Sequence, residues 1–244
     1  MTPFWMSAFL DVPAAGHART AEFWTGVTGT TLSDPRGPDG EFASFVPDDG
    51  DVHLRLQRVG DGPPRLHLDV HVEDPRDAAD EAAERGAREV ADHGFVNMTS
   101  PGGLSLCFVS HPASRRSAPR TWPGGHASLV DQVCIDIAPA AYDDELAFWS
   151  ATTGWPVHDR EGRPEFARIG APAAHPLQLL MQRRDDGDEP TSAHLDLGTS
   201  AGGRPVEVAR HEALGATVQQ VFDGWTVMRD PAGMTYCVTD HAVR

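Results

Sequence analysis

The sequence has few cysteines, few basic residues and no long apolar run. Its 244 residues include three cysteines, Cys107, Cys134 and Cys237, with no Cys-x-x-Cys spacing. Neither a disulfide framework nor a zinc ribbon is therefore indicated. The 20 basic and 36 acidic residues give a net charge of −16, which repels phosphate backbones and argues against nucleic acid as a partner. The amino terminus lacks a basic region and no apolar run approaches about 18 residues, so we expect a cytoplasmic protein without a membrane partner.

Three catalytic motifs are also missing. The sequence contains no Gly-x-Ser-x-Gly, no Walker loop and no His-Glu-x-x-His. Hydrolases built on a nucleophile elbow, P-loop NTPases and zincin proteases therefore find no support.

What the sequence does contain is a tandem repeat. His67-Leu68-Asp69 recurs 127 residues later as His194-Leu195-Asp196, and Phe23-Trp24 recurs 125 residues later as Phe148-Trp149. A period this long exceeds solenoid units and is typical of a duplicated domain. We predict a first domain over residues 1–112, a linker over 113–127 and a second domain over 128–244, with His67 equivalent to His194 and Cys107 to Cys237. The protein is then expected to be a monomer with an internal pseudo-dimer, or a homodimer.

Local patterns within each half predict the order strand, helix and three strands, twice. In the first half, a strand ending before Pro13 is followed by a helix that Gly29 stops. A second strand and helix follow at Arg65 and Pro75, since proline suits the first helical turn. The chain thus reads as four βαβββ modules of an α+β fold.

This module pattern, with its repeated Phe-Trp pair and its late Asp230-Pro231-Ala232-Gly233 turn, resembles the vicinal oxygen chelate superfamily and its glyoxalase-like domains. The resemblance covers nearly the whole chain outside the linker. It implies that each pair of modules forms a curled mixed sheet, with helices on the convex face and a ligand or metal on the concave face.

Strand periodicity assigns a set of polar side chains to one face of each sheet. In the strand from His67 to Val72, for example, His67, Asp69 and His71 alternate with apolar residues. This polar face is either a solvent-exposed back of the sheet or, as the resemblance implies, a cavity lining. In the second case we expect the ligand-binding residues to be His53, Arg55, Gln57, His71, Gln132, Asp136, Gln178, His194 and Asp196.

The resemblance also identifies positions at which relatives carry metal ligands. They correspond here to Ser7, His53, His67 and Cys107 in the first domain and to Gln132, Gln178, His194 and Cys237 in the second. None of the eight is a carboxylate, which departs from the family pattern. A divalent metal of the zinc type could use His53, His67 and Cys107, but we expect no cofactor, because polar pocket histidines and buried cysteines are common without a metal.

A proton-transfer site is the next possibility. His67 and Asp69 lie on one strand face, and Asp11 is expected on the neighbouring strand, so these three residues are the candidate catalytic group. A carboxylate beside an imidazole raises the imidazole pKa and fixes its tautomer. The alternative is structural, because Asp at strand ends also binds backbone amides.

Three classes of function stay open. The first is a protein that binds a small organic molecule in the cavity without a metal, as relatives that sequester antibiotics do and thereby confer resistance. The second is a lyase, isomerase or cyclase that is cofactor-free or uses a divalent metal in the first domain. The third is a structural protein with a filled concave face. From the first domain's larger set of titratable groups, we expect that domain to bind the small molecule and His67 to matter more than His194.

Overall fold

A computed structural model describes residues 2–185 and 187–243. The first half of the described chain contains two helices and eight strands. In chain order these are β1 (Trp5–Pro13), α1 (Ala14–Thr28), β2 (Thr31–Leu32), β3 (Phe42–Val46), β4 (Leu54–Val59), β5 (Arg65–His71), α2 (Pro75–Glu84), β6 (Arg88–Asp92), β7 (Val96–Thr99) and β8 (Ser105–Val109).

The second half repeats this order after one additional short strand. The elements are β9 (Arg120–Thr121), β10 (Ala127–Ile137), a 3-10 turn at Pro139–Ala141, α3 (Tyr142–Thr153), β11 (Val157–Asp159), β12 (Phe166–Ile169), β13 (Gln178–Arg183), β14 (Ser192–Thr199), α4 (Arg204–Ala213), β15 (Thr217–Val221), β16 (Trp225–Arg229) and β17 (Thr235–Thr239). Strand β9 lies inside the predicted linker and pairs with β10.

Two mixed sheets share one strand order. The first runs β2-β3-β4-β1-β5-β8-β7-β6, and the second runs β11-β12-β13-β10-β14-β17-β16-β15. In each sheet a parallel pair, β5 with β8 or β14 with β17, joins antiparallel strands. The predicted α+β class with four βαβββ modules is confirmed.

The helix ends follow from local chemistry. Helix α1 ends at Gly29, whose φ of 65° lies in the left-handed region that glycine adopts without strain. Helix α2 begins at Asp74, whose side chain accepts hydrogen bonds from the backbone N–H groups of Arg76 and Asp77, and Pro75 occupies the first helical position.

The repeated aromatic pairs lie in the core. Trp24 and Trp149 are fully buried, and Phe23 and Phe148 are each 2% exposed. Each phenylalanine packs edge to face against the tryptophan that follows it. This geometry contributes beyond the burial of area.

Contacts divide the chain into two compact units, and each combines segments of both sequence halves. The first unit comprises residues 1–8, 66–114 and 133–193, and the second comprises residues 9–65, 115–132 and 194–244. The predicted domain boundaries follow the sequence repeat instead, and they stay a prediction. Among the described residues, no helix is both long and apolar enough to cross a membrane.

Candidate functional site

A His-Asp-Cys group lies on the parallel strands β5 and β8 of the first unit. Asp69 is paired in register with Cys107, and His67 lies on the same strand face as Asp69 because alternate residues point the same way. The Nε2 atom of His67 is 3.7 Å from Oδ1 of Asp69, and each of these side chains is only 9% exposed. The imidazole nitrogen, the carboxylate oxygen and the thiol sulfur all lie within 4.8 Å of one another.

The second unit contains the equivalent group on β14 and β17. Asp196 is paired in register with Cys237, just as Asp69 is with Cys107, so the repeat places these residues at equivalent positions as predicted. Nε2 of His194 lies 3.4 Å from Oδ1 of Asp196 and 3.5 Å from Sγ of Cys237. This second group is therefore the tighter of the two.

The two groups differ in the residue opposite the cysteine. On β7, Asn97 is the register partner of Cys107, and the thiol donates a hydrogen bond to its Oδ1 at 3.2 Å. On β16 the corresponding partner of Cys237 is Val227, which offers no side-chain acceptor. The Cys107 thiol is thus held by an amide, whereas the Cys237 sulfur faces an imidazole nitrogen.

The second group has the geometry of ligands that converge around Nε2 of His194. A relay uses both ring nitrogens, one bound to the carboxylate and the other working on the reacting group. Here the same Nε2 atom faces both Asp196 and Cys237. One nitrogen cannot donate a proton to the carboxylate and accept one from the thiol at the same time, whereas a cation between the three atoms would satisfy all of them.

His53 belongs to the second unit, whereas His67 belongs to the first. Strand β4 begins at Leu54, so His53 is the residue that precedes the strand. Its Nε2 donates to the carbonyl oxygen of Val130 at 3.0 Å, within the second unit. Burial lowers the pKa of His53, although carbonyl groups of Val130 and Asp51 oppose this shift, so the ring is neutral near pH 7.

His71 is fully buried and hydrogen-bonded through both ring nitrogens. Nδ1 donates to the carbonyl oxygen of His111 at 2.7 Å, and Nε2 accepts from the Ser7 hydroxyl at 3.0 Å. Both bonds lie within the first unit. They leave neither nitrogen directed at a ligand.

The other predicted site residues are buried or half-buried. Asp11 is buried and accepts from Arg65, Arg55 donates to the Ser44 hydroxyl, and the Gln178 amide oxygen accepts from Arg168. Gln132 is buried, whereas Gln57 and Asp136 are half-buried. Their roles as ligand-binding or catalytic residues stay predictions.

Sequence reasoning missed a carboxylate that joins a tryptophan to a turn in each unit. In the first unit, Glu145 accepts from the Trp149 indole at 2.7 Å with one oxygen, and from the Gly102 N–H and the Ser100 hydroxyl with the other. In the second unit, Asp230 accepts from the Trp24 indole at 3.1 Å with one oxygen and from two turn N–H groups with the other. The helix supplies the carboxylate in one case and the turn supplies it in the other. Burial raises the pKa of both groups against the opposing effect of these hydrogen bonds.

A second missed residue, Glu207, is the centre of a buried polar network in the second unit. Its carboxylate accepts hydrogen bonds from Ser128 at 2.6 Å, from His126 at 2.7 Å and from Arg210 at 2.7 Å. Burial alone would raise the pKa of Glu207, but the bonds from Arg210, His211 and Ser128 outweigh it and hold that pKa far below its usual range. A Glu followed by Arg and His three and four residues later on one helix is the sequence signal that could have found it.

The family model described as Glyoxalase-like domain matches residues 7–109 and again residues 132–239. The chain belongs to the glyoxalase-like domain family. The suspected resemblance is thereby confirmed, together with the duplication of the domain. No curated protein matches the chain in sequence.

Solved structures of similar fold include several enzymes. A 2,2',3-trihydroxybiphenyl 1,2-dioxygenase from Sphingomonas wittichii strain RW1 has a TM-score of 0.64 at 15% identity, over 98% of this chain and 90% of that chain. A Mn(II)-bound glyoxalase from Novosphingobium aromaticivorans has a TM-score of 0.64 at 18% identity, over 98% and 82%. A 4-hydroxymandelate synthase mutant from Streptomyces coelicolor has a TM-score of 0.61 at 16% identity, over 99% and 94%. At these identities the likeness extends to the fold alone.

Proposed function

We propose that this glyoxalase-like protein binds a small organic molecule together with a divalent cation, and that the cation is held by His194, Asp196 and Cys237. The observation that carries this proposal is the pair of distances around His194. Zinc bonds to nitrogen, oxygen and sulfur imply tetrahedral edges of about 3.4 Å between N and O and about 3.6 Å between N and S. The observed separations are 3.4 Å and 3.5 Å.

The donor chemistry fits as well as the spacing. Imidazole, carboxylate and thiolate are all ligands of zinc-type cations, and the carboxylate and thiolate charges balance a divalent ion. Three protein donors leave room for a ligand from the bound molecule, as catalytic rather than structural sites do. A bound cation would supply Lewis acidity toward an oxygen of that molecule. The sequence alone led us to expect no cofactor, because no carboxylate stands at the eight aligned positions. The proposed carboxylate ligand, Asp196, lies two residues after one of these positions, His194.

For the first domain, we propose the metal-free binding of a small organic molecule that was expected from the sequence. The hydrogen bond from Cys107 to Asn97 stabilises the neutral thiol, which is the form that does not ligate a cation. Nε2 of His67 and Oδ1 of Asp69 lie 3.7 Å apart on one face of β5, which places two polar groups side by side at this site. Lyase or isomerase chemistry is our prediction for any turnover at this site.

Cobalt binding to the purified full-length chain tests the proposed cation site. Co²⁺ added to chelator-treated protein should give a thiolate charge-transfer absorption. In the same titration, His194→Ala should weaken the affinity for Co²⁺ by about 10- to 100-fold or more, since even the loss of an outer-shell partner of a metal has an effect of that size. His158→Ala is the matched control, since His158 is exposed on β11. His67→Ala should leave the signal unchanged. Absence of a thiolate band in the unmodified protein would refute the proposal.

Ligand binding is tested separately by thermal shift. Aromatic diols are the first probes, because one protein of similar fold is a catechol dioxygenase and catechol is an aromatic diol. A ligand in excess of its dissociation constant raises the melting temperature. A diol that stabilises the metal-loaded chain but not its His194→Ala variant would support binding at the cation. Equal stabilisation of both would place the diol elsewhere.

A further inference from the structure

A small cavity lies within the second unit, away from the His-Asp-Cys group of that unit. Its volume is about 160 Å³. The wall is formed by the end of helix α1, the loop before β4, the segment before β9 and the start of β10. Leu197 is the residue of β14 that reaches it, and it follows Asp196, so the two side chains point to opposite faces of the strand.

The lining is mainly apolar and includes one unsatisfied hydroxyl. Phe45, Leu54, Val130 and Leu197 supply buried hydrocarbon surface. The Ser117 side chain lines the same cavity, is 7% exposed as a residue, and its Oγ has no hydrogen-bond partner among the residues that the structure describes. A buried hydroxyl without a partner loses the hydrogen bonds that it makes in water, so a molecule that bonds to it gains affinity.

The cavity is flanked by ion pairs that disfavour an anionic occupant. Arg120 pairs with Asp48 at 3.2 Å and donates to the carbonyl oxygen of Gly29 at 2.9 Å. Arg115 pairs with Asp49, so neither arginine carries uncompensated positive charge at the rim. His53, which also lines the cavity, is neutral near pH 7 because burial lowers its pKa. The chain as a whole carries a net charge of −16.

We infer that this cavity is a second binding site, for a neutral monocyclic aromatic alcohol of the phenol class that hydrogen-bonds to Ser117. The size supports one six-membered ring, since an apolar cavity of about 150 Å³ in another protein holds benzene. The apolar wall suits the ring and the Ser117 hydroxyl suits a single polar substituent. Charge at the rim selects phenol over benzoate. The site uses no residue of either His-Asp-Cys group.

Methyl NMR spectra of the full-length chain, in the presence of a chelator, test this site directly. Titration with phenol should shift the methyl signals of Leu54, Val130 and Leu197, whereas benzoate should not. Benzene should shift the same signals but bind more weakly, because it cannot bond Ser117. Loss of one hydrogen bond predicts a difference of about 2- to 12-fold in dissociation constant.

Three variants locate the binding site, and the test still works if one of them fails to fold. Ser117→Ala should reduce the affinity for phenol to that for benzene, and Ser110→Ala, an exposed serine, is the matched control. Leu54→Phe should block both ligands by filling the cavity. Leu54→Ala should enlarge the cavity and admit 1-naphthol. This gain of binding is a separate measurement that holds even if Leu54→Phe fails to fold.

Two results would overturn the inference. One is the absence of methyl shifts with millimolar phenol, which would leave the cavity to water. The other is phenol binding that is unchanged by Ser117→Ala and by both substitutions at Leu54. Because the chelator removes any cation, neither result bears on the proposed cation site, and loss of cobalt binding would not affect this titration.

Discussion

The buried carboxylates that join a tryptophan to a turn should be worth more to stability than exposed acidic groups. Replacing Glu145 by Gln keeps one oxygen to accept from Ser100 and Gly102, but places an amide N–H against the Trp149 indole N–H. The indole donor is then buried without an acceptor. We expect Glu145→Gln to lower the free energy of unfolding by about 1–3 kcal/mol, since an orphaned buried donor costs that much.

Urea denaturation followed by tryptophan fluorescence measures this loss, and a double-mutant cycle isolates its cause. In a Trp149→Phe background there is no indole donor to orphan, so Glu145→Gln should cost less there, with a coupling of about 0.5–3 kcal/mol. Glu161→Gln is the control, because Glu161 is exposed and surface changes stay within about 0.5 kcal/mol. Equal losses in the two backgrounds would refute the reasoning.

The raised pKa of Glu145 adds a pH dependence with a defined sign. The folded chain binds the Glu145 proton more tightly than the unfolded chain, in which the pKa has its ordinary value of 4.5. This group therefore contributes a stability that falls as pH rises from 4.5 toward the folded pKa. The gap between the unmodified protein and Glu145→Gln should narrow over that interval. A gap that widens with pH would contradict the assigned direction.

Further predictions concern other parts of the chain. Glu207→Gln should destabilise the fold by about 3–5 kcal/mol in urea at pH 7, because it breaks a buried charged network. This loss should shrink progressively as pH falls from 4.5 toward the depressed folded pKa of Glu207, because the unfolded chain takes up the proton first over that interval. Gly29→Ala should lower the melting temperature more than Gly162→Ala does. Both glycines have a positive φ, but a Cβ at Gly29 would overlap the Arg120 side chain, whereas a Cβ at Gly162 would face open space. Asn97→Val should create cobalt binding at Cys107, and Val227→Asn should weaken it at Cys237, as judged by thiolate absorption; unchanged spectra would count against the role given to residue 97.

The sequence was sufficient to predict the duplication, from landmarks that recur at nearly the same offset, and the module order, from local periodicity. Strand alternation also placed His67 and Asp69 on one face correctly. Periodicity does not fix the residue at which a strand begins, and β4 begins at Leu54, one residue after His53.

The composition of the His-Asp-Cys group could not be predicted from aligned positions. The positions at which relatives carry metal ligands lack a carboxylate here, and the sequence pattern assigns Asp69 to proton transfer and Asp196 to ligand binding. Their proximity to cysteine depends on the parallel register that pairs Asp69 with Cys107 and Asp196 with Cys237. The register between strands about 40 residues apart depends on tertiary packing, so it is not visible in the local sequence pattern. Buried Glu145 and Glu207 were missed for a similar reason, because a charged residue on a helix is ordinarily solvated.

The two halves of the chain share a backbone arrangement but differ in side chains around the His-Asp-Cys groups. The pairing of β5 with β8 repeats in that of β14 with β17, so each half presents histidine, aspartate and cysteine from the same backbone positions. One difference lies across the sheet, where Asn97 faces Cys107 and Val227 faces Cys237. An amide acceptor favours the protonated thiol, and an apolar neighbour leaves the sulfur to the imidazole. We propose that this cross-strand exchange directs one copy toward a neutral polar ligand and the other toward a cation, while the strand pairing that positions both groups stays the same.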